Sequence, residues 1–245
     1  MTIKMPRLAA LMRANAERPR NFRVENAASA EATIYIYDII GMDFWTGEGV
    51  TAKTFADALA ETKASTIHLR VNSPGGDVFE ARAIIAQMKA SGSKFIAHVD
   101  GVAASAASFI VANCDEVLMA DGAFMMVHNA WTIAVGNKDD MTQTAGFLQK
   151  IDATIAADYA KRPGVTKAQA VAWMDAETWF TADEAVKAGM ADQVEQDAPK
   201  AKATWNLSAY DRAPAMPESE PEPEIDDEAV RAHLERRLSL VEQTS

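Results

Sequence analysis

The sequence predicts an α/β protein built on a largely parallel β-sheet covered by helices, and two observations lead there. The first is a repeated strand-then-helix unit. Segments 33–40, 66–72 and 94–99 are apolar or alternating runs rich in Ile, Val, Leu and Phe, and each precedes helical periodicity, at 51–63, 77–90 and 104–113. Strands alternating with helices of this length are linked by right-handed crossovers, which set the strands parallel. The second is size: 245 residues, 49% of them apolar, suffice for a large core in one domain with tails.

Taken in order, residues 1–30 are basic and alanine-rich, with Lys4, Arg7, Arg13, Arg18, Arg20 and Arg23, and are expected to form a mobile arm before the first strand. Helix 51–63 starts at Thr51 as N-cap and carries Phe55 and Leu59; helix 77–90 shows Val78, Ala81, Ile84, Ile85 and Met88 on one face. Strand 94–99 should end in a turn at Asp100 and Gly101, followed by a helix with Phe109, Ile110 and Val111. Strands near 116–119 and 124–128 lead into a long helix, 138–161, whose stripe is Met141, Ala145, Leu148, Ile151, Ile155 and Tyr159. Pro163 and Gly164 stop it, and helices follow at 166–174 and 181–188, the last with Thr181 and Glu184 in capping-box spacing. These elements define a domain at 31–196. Residues 197–245 read as a tail: Pro217-Glu-Ser-Glu-Pro-Glu-Pro-Glu224 cannot form a core, and 226–242 has the pattern of a short helix.

Composition excludes several function classes. A net charge of −11 argues against nucleic acid as a partner. A single cysteine, Cys114, rules out an intrachain disulfide and fits a reducing, cytoplasmic setting; the thiol is expected to be packed. No apolar run approaches the length of a membrane span, and the short Leu8-Ala-Ala-Leu-Met12 does not read as a signal peptide. His68, His98, His128 and His233 are scattered without ligand spacing, so neither a metal nor another cofactor is expected.

The chemistry is expected around Gly101-Val-Ala-Ala-Ser105, where an apolar strand gives way to a helix. A serine in the first helical turn lies beside unpaired backbone N–H groups and the positive end of the helix dipole, a setting suited to a developing oxyanion. Such a serine is also a common N-cap or packing residue. Two further stretches favour chemistry. Asn72-Ser-Pro-Gly-Gly76 makes a second strand-to-helix turn, whose Gly75 and Gly76 let backbone approach a ligand. It lacks the lysine or the glycine spacing of a phosphate cradle. Ala123-Phe-Met-Met-Val-His128 ends an apolar run in a candidate base.

Together with Glu177-Thr-Trp-Phe-Thr-Ala-Asp-Glu-Ala185 and Gly189-Met-Ala-Asp192, these motifs resemble, in order and over about 34–194, the Clp peptidase (ClpP) family. They are most similar to its phage and prophage branch, the head maturation proteases. The resemblance implies a spiral of repeated β-β-α units, as in the crotonase fold, with 138–161 as a projecting handle helix. It further implies a homo-oligomer, a heptameric ring or stacked rings. It also implies a triad of Ser105 as nucleophile, His128 as base and an acid, which the motif puts at Glu177 with Asp175 as fallback. Ser108 is the less favoured serine. The N–H groups of Gly76 and Ala106 would form the oxyanion hole, Gly75 would shape the turn, and Asn129, Trp131 and Ile133 would border a groove where an extended peptide adds as a strand. The chain departs from the housekeeping enzymes in carrying Ala106 and Ala107 where they have Met-Gly, and glutamate where they have aspartate. Three functions are open at this point: a maturation protease trimming capsid or scaffold protein, a proteolytic chamber fed by an AAA+ unfoldase, and a crotonase-fold acyl-CoA enzyme or inactive structural ring. The ordered Ser, His and acid motifs disfavour the third.

Overall fold

The computed structural model describes residues 7–43, 46–196 and 205–214. Seven helices and eight strands alternate among them: α1 (Arg7–Ala14), β1 (Asn21–Glu25), β2 (Glu31–Tyr37), α2 (Ala52–Glu61), β3 (Thr66–Ser73), α3 (Val78–Ser91), β4 (Lys94–Ala104), α4 (Ala106–Ala112), β5 (Glu116–Ala120), β6 (Phe124–Val127), α5 (Lys138–Tyr159), α6 (Lys167–Asp175), β7 (Thr178–Thr181), α7 (Ala182–Ala188) and β8 (Gln193–Glu195). The sheet runs β1-β2-β3-β4-β5-β8, with β6 joining β4 and β7 joining β6. Pairing is parallel except for β1 with β2 and β6 with β7. This is the mixed α/β architecture expected of a ClpP-like fold.

The alternation in the strands decides which face is buried. Ile34, Leu69, Ala97 and Val117 stand side by side across β2, β3, β4 and β5, all without solvent exposure. Against that face pack Ala81, Ile84, Ile85 and Met88 of α3, and α4 is buried all round. Truncating a leucine such as Leu69 to alanine in such a core costs about 2–5 kcal/mol.

Three departures from the sequence reading matter for the site. Asp100 and Gly101 do not form a turn: β4 continues to Ala104, because Asp100 is held in the sheet by Arg70 and by the Tyr37 hydroxyl, which donates to it at 2.5 Å. β4 exchanges neighbours there, pairing with β5 over Ile96–Val99 and with β6 over Val102–Ala104. The stretch read as a mobile arm contains α1, with Leu11 and Met12 buried, and β1, an edge strand of the main sheet. Residues 205–214, read as part of a tail, carry the buried Trp205, Leu207 and Tyr210. The Pro217–Glu224 stretch and the helix expected at 226–242 lie outside the described residues. β7 and β8, short strands after α6 and α7, were not expected as strands.

Candidate active site

Ser105 is placed by the parting of two strands. β4 leaves the sheet at Ala104, the Ser105 N–H donates to Met126 O of β6 at 3.0 Å, and α4 starts at the next residue. The serine occupies the N-cap position with φ 52 and ψ −121 and makes no capping bond, so its hydroxyl is turned away from the helix end. A non-glycine residue at this φ is strained, as in the sharp strand-to-helix elbows that present nucleophiles. The elbow is possible because Gly75 lies against it: a Cβ at Gly75 would meet Ala104 O at 2.6 Å and Ser105 Cβ at 2.8 Å.

His128 follows the last residue of β6 and is buried. Its Nε2 lies 2.7 Å from Ser105 Oγ, within hydrogen-bond distance and in position to accept the hydroxyl proton. Ser108, the less favoured serine, donates to Ser105 O and lies 2.7 Å from the Tyr159 hydroxyl inside the core. Gly76 lines the same cleft as Ser105 and His128, whereas the Gly75 N–H is turned to Ser73 Oγ at 3.2 Å. Ala106 is the first residue of α4 and fully buried.

Glu177, between α6 and β7, has φ 46. Its Oε1 accepts from the Arg212 backbone N–H at 2.7 Å and from Trp179 Nε1 at 3.5 Å. Asp175 is exposed and accepts from Asn129 Nδ2 at 2.8 Å. Trp131 lines the cleft and meets the His128 ring edge-on, with centroids 6.2 Å apart. Ile133 is 64% exposed and does not line it. Cys114 is buried, and burial pushes its thiol well above the usual range, as expected of a packed residue.

A cavity of about 40 Å³ beside Ser105 is walled by apolar groups, Val78, Phe109, Ile155 and Tyr159 among them. Two of its walls escaped sequence reasoning: Leu11 from α1 and Tyr210 from the 205–214 segment. The available signals were the apolar Leu8-Ala-Ala-Leu-Met12 run and the cluster Trp205, Leu207 and Tyr210, which stands out from the Pro/Glu composition that begins only at Pro217.

A serine on a strained strand-to-helix elbow, hydrogen-bonded to a histidine carried by an adjacent strand of an α/β sheet, is the arrangement of a serine hydrolase. The particular family follows from comparison: residues 18–198 match the Clp protease family, and the chain belongs to it, a family of serine peptidases. Similar proteins include ATP-dependent Clp protease proteolytic subunits. That of Chlorella vulgaris is 29% identical over 140 residues, covering 56% of this chain and 70% of the relative. That of Bacteroides fragilis is 32% identical over 130 residues, covering 52% and 63%. The proteolytic subunit 2 of Corynebacterium efficiens is 29% identical over 137 residues, covering 55% and 69%. Among the described residues no helix is long and apolar enough to cross a membrane.

Proposed function

We propose that this chain is a serine endopeptidase in which Ser105 attacks the scissile carbonyl, His128 takes its proton and passes it to the leaving amine, and Glu177 orients the imidazole. The 2.7 Å approach of His128 Nε2 to Ser105 Oγ at a strained elbow carries the reading. The N–H groups of Gly76 and Ala106 receive the oxyanion, with Gly75 giving the elbow its room. Asn129 and Trp131 border the path of an extended peptide; Ile133, being exposed, contributes at the outer end or to an assembly contact. The reaction uses no cofactor in this scheme.

The substrate reading that the motifs favour is a capsid or scaffold protein trimmed without an ATPase, as in the phage and prophage branch. A second reading, a ring that receives unfolded protein from an AAA+ unfoldase, is supported by the names of the relatives, which are ATP-dependent proteolytic subunits. The test is hydrolysis of a fluorogenic peptide by the wild type, Ser105→Ala, His128→Ala and the double variant. Each single change should remove activity to background, and the double should lose no more than either, since the pair acts as a unit. Retained activity in Ser105→Ala contradicts the assignment. Cleavage of a co-produced capsid protein without ATP separates the first substrate reading from the second, which requires ATP and an unfoldase.

A further inference from the structure

We infer that residues 205–214 are a working part of the active site, with Arg212 and Tyr210 acting as positioning residues for Glu177 and for the Pro74–Gly76 turn. This rests on the proposed roles of Ser105, His128 and Glu177, and concerns residues beyond the 18–198 stretch that matches the family.

The segment is built into the domain. The Trp205 indole N–H donates to Asn72 O at 2.9 Å. Asn206 N–H donates to Asn15 Oδ1 at 2.7 Å, while Asn15 Nδ2 donates back to Asn206 O at 2.9 Å, so α1 and the segment clasp one another through a buried asparagine. Trp205 and Leu207 are each only 3% exposed. From this anchorage the chain runs past all three catalytic candidates. The Tyr210 hydroxyl donates to Pro74 O, one residue from the glycine pair, and its ring stands edge-on to His128 at 5.4 Å and to Trp179 at 5.8 Å. Burial raises the Tyr210 pKa, so the hydroxyl remains a donor throughout the working pH range.

Arg212 acts on the acid twice. Its N–H holds Glu177 Oε1 at 2.7 Å and its guanidinium donates to Ala176 O at 2.6 Å, so one residue grips both the carboxylate and the carbonyl just before it. Glutamate needs this more than aspartate. It has one more rotatable bond to immobilise, and here it sits on backbone with φ 46. An inhibitory strap would be expected to break the Ser105–His128 approach. The approach stands at 2.7 Å, with Tyr210 as one wall of the cavity beside it.

The test uses the full chain and three variants, followed by kcat, KM and the pH dependence of kcat/KM on a peptide. Arg212→Pro removes the N–H donor and the guanidinium, Arg212→Ala removes only the guanidinium, and Tyr210→Phe keeps the ring without the hydroxyl. We expect kcat to fall about 30-fold or more in Arg212→Pro and about 3- to 10-fold in the other two, with KM within about twofold. A loosened carboxylate supports the imidazolium less, so the acid limb of the Arg212→Pro profile should move to lower pH. In a Glu177→Gln background Arg212→Pro should add almost nothing, because both act through one group. Increased activity in these variants would show a blocking strap, unchanged kcat and pH profile would show packing alone, and full additivity with Glu177→Gln would show that Arg212 does not act through the acid; each overturns the inference. If Arg212→Pro melts early, Arg212→Ala and Tyr210→Phe decide on the same readouts. Labelling of wild-type Ser105 by a fluorophosphonate keeps the two levels apart: an unlabelled wild type defeats the serine peptidase reading, whereas a labelled wild type with unaffected variants defeats this inference alone.

Discussion

Ser105 and Glu177 both stand on left-handed backbone, at φ 52 and 46, and glycine neighbours and added hydrogen bonds compensate a strain of about 1–3 kcal/mol at each. Gly75→Ala tests the compensation at the nucleophile. Its Cβ would collide with Ala104 O and Ser105 Cβ on backbone already at φ +94, so turnover should fall about 100-fold or more, along with a melting temperature lowered by several degrees. Wild-type turnover in a folded Gly75→Ala protein would contradict the elbow geometry. At the acid, Glu177→Gln should reduce kcat on the order of a thousandfold and Asp175→Asn should change it less than about threefold, since Asp175 is exposed and occupied by Asn129. The reverse pattern in measured peptidase rates would move the acid to Asp175. Asp38 offers a test of the fold rather than the site. Burial raises its carboxyl to about 6 against the pull of the Ile39 N–H and Arg20. The folded state then holds the proton more tightly than the unfolded state, so this group's contribution to stability is full below about pH 4 and is lost as pH rises through 6. Denaturant melts of the wild type and Asp38→Asn should differ by an amount that changes across pH 4–6; a constant difference would sink the assignment. Ser105 and His128 were legible because each closes a strand in a motif of small or apolar residues. Tyr210 and Arg212 were not, because their contacts cross more than 30 residues of sequence to Glu177 and more than 130 to Pro74.

At the scale of elements, α5 is the instructive case. Its predicted stripe treated Met141 to Tyr159 as one face, yet only the end is covered: Ile155 and Tyr159 are buried and line the cleft, while Met141 and Ala145 are exposed and Leu148 is half-buried. Periodicity reports a shared face and cannot say what covers it. Four of the exposed large apolar side chains, Ile133, Val135, Met141 and Phe147, fall between 133 and 147, and Phe147 stacks on the equally exposed Phe79 of α3. Such a patch fits burial against a second copy of this chain, in keeping with the proposed ring. Met141→Asp with Phe147→Asp should dissociate the assembly in light scattering while leaving the melting temperature of the subunit nearly unchanged, because both sites are exposed within it. A wild type that is monomeric over a wide concentration range would contradict the proposal. Ile155 is unsuited to this test, since a charge there would enter the core beside Ser105. Helix starts were read well where a side chain does the capping, as with Thr51, Thr166 and Thr181, each in a reciprocal box with the residue three positions on. The start of α4, expected at 104, lies two residues later because Ala104 is still the last residue of β4 and Ser105 forms the elbow without a capping bond.

For the whole molecule, the parallel sheet and its helical cover follow from local alternation, and the structure reproduces them from β2 through β5. The sequence missed what holds the ends together. α1, β1 and the 205–214 segment are short, and partners elsewhere in the chain hold them in place: β1 pairs along β2, and Asn15 and Asn206 clasp across 191 residues. These flanking pieces bring Leu11 and Tyr210 to the cleft, so the catalytic motifs alone describe an incomplete site. The central claim is that Ser105, activated by His128, is the nucleophile. Its most direct test is reaction of the full-length protein with a fluorophosphonate probe, followed by intact mass and peptide mapping. One adduct per chain on Ser105 is expected, absent in Ser105→Ala and slowed at least about a hundredfold in His128→Ala. An adduct on Ser108, or labelling that persists in Ser105→Ala, would contradict it.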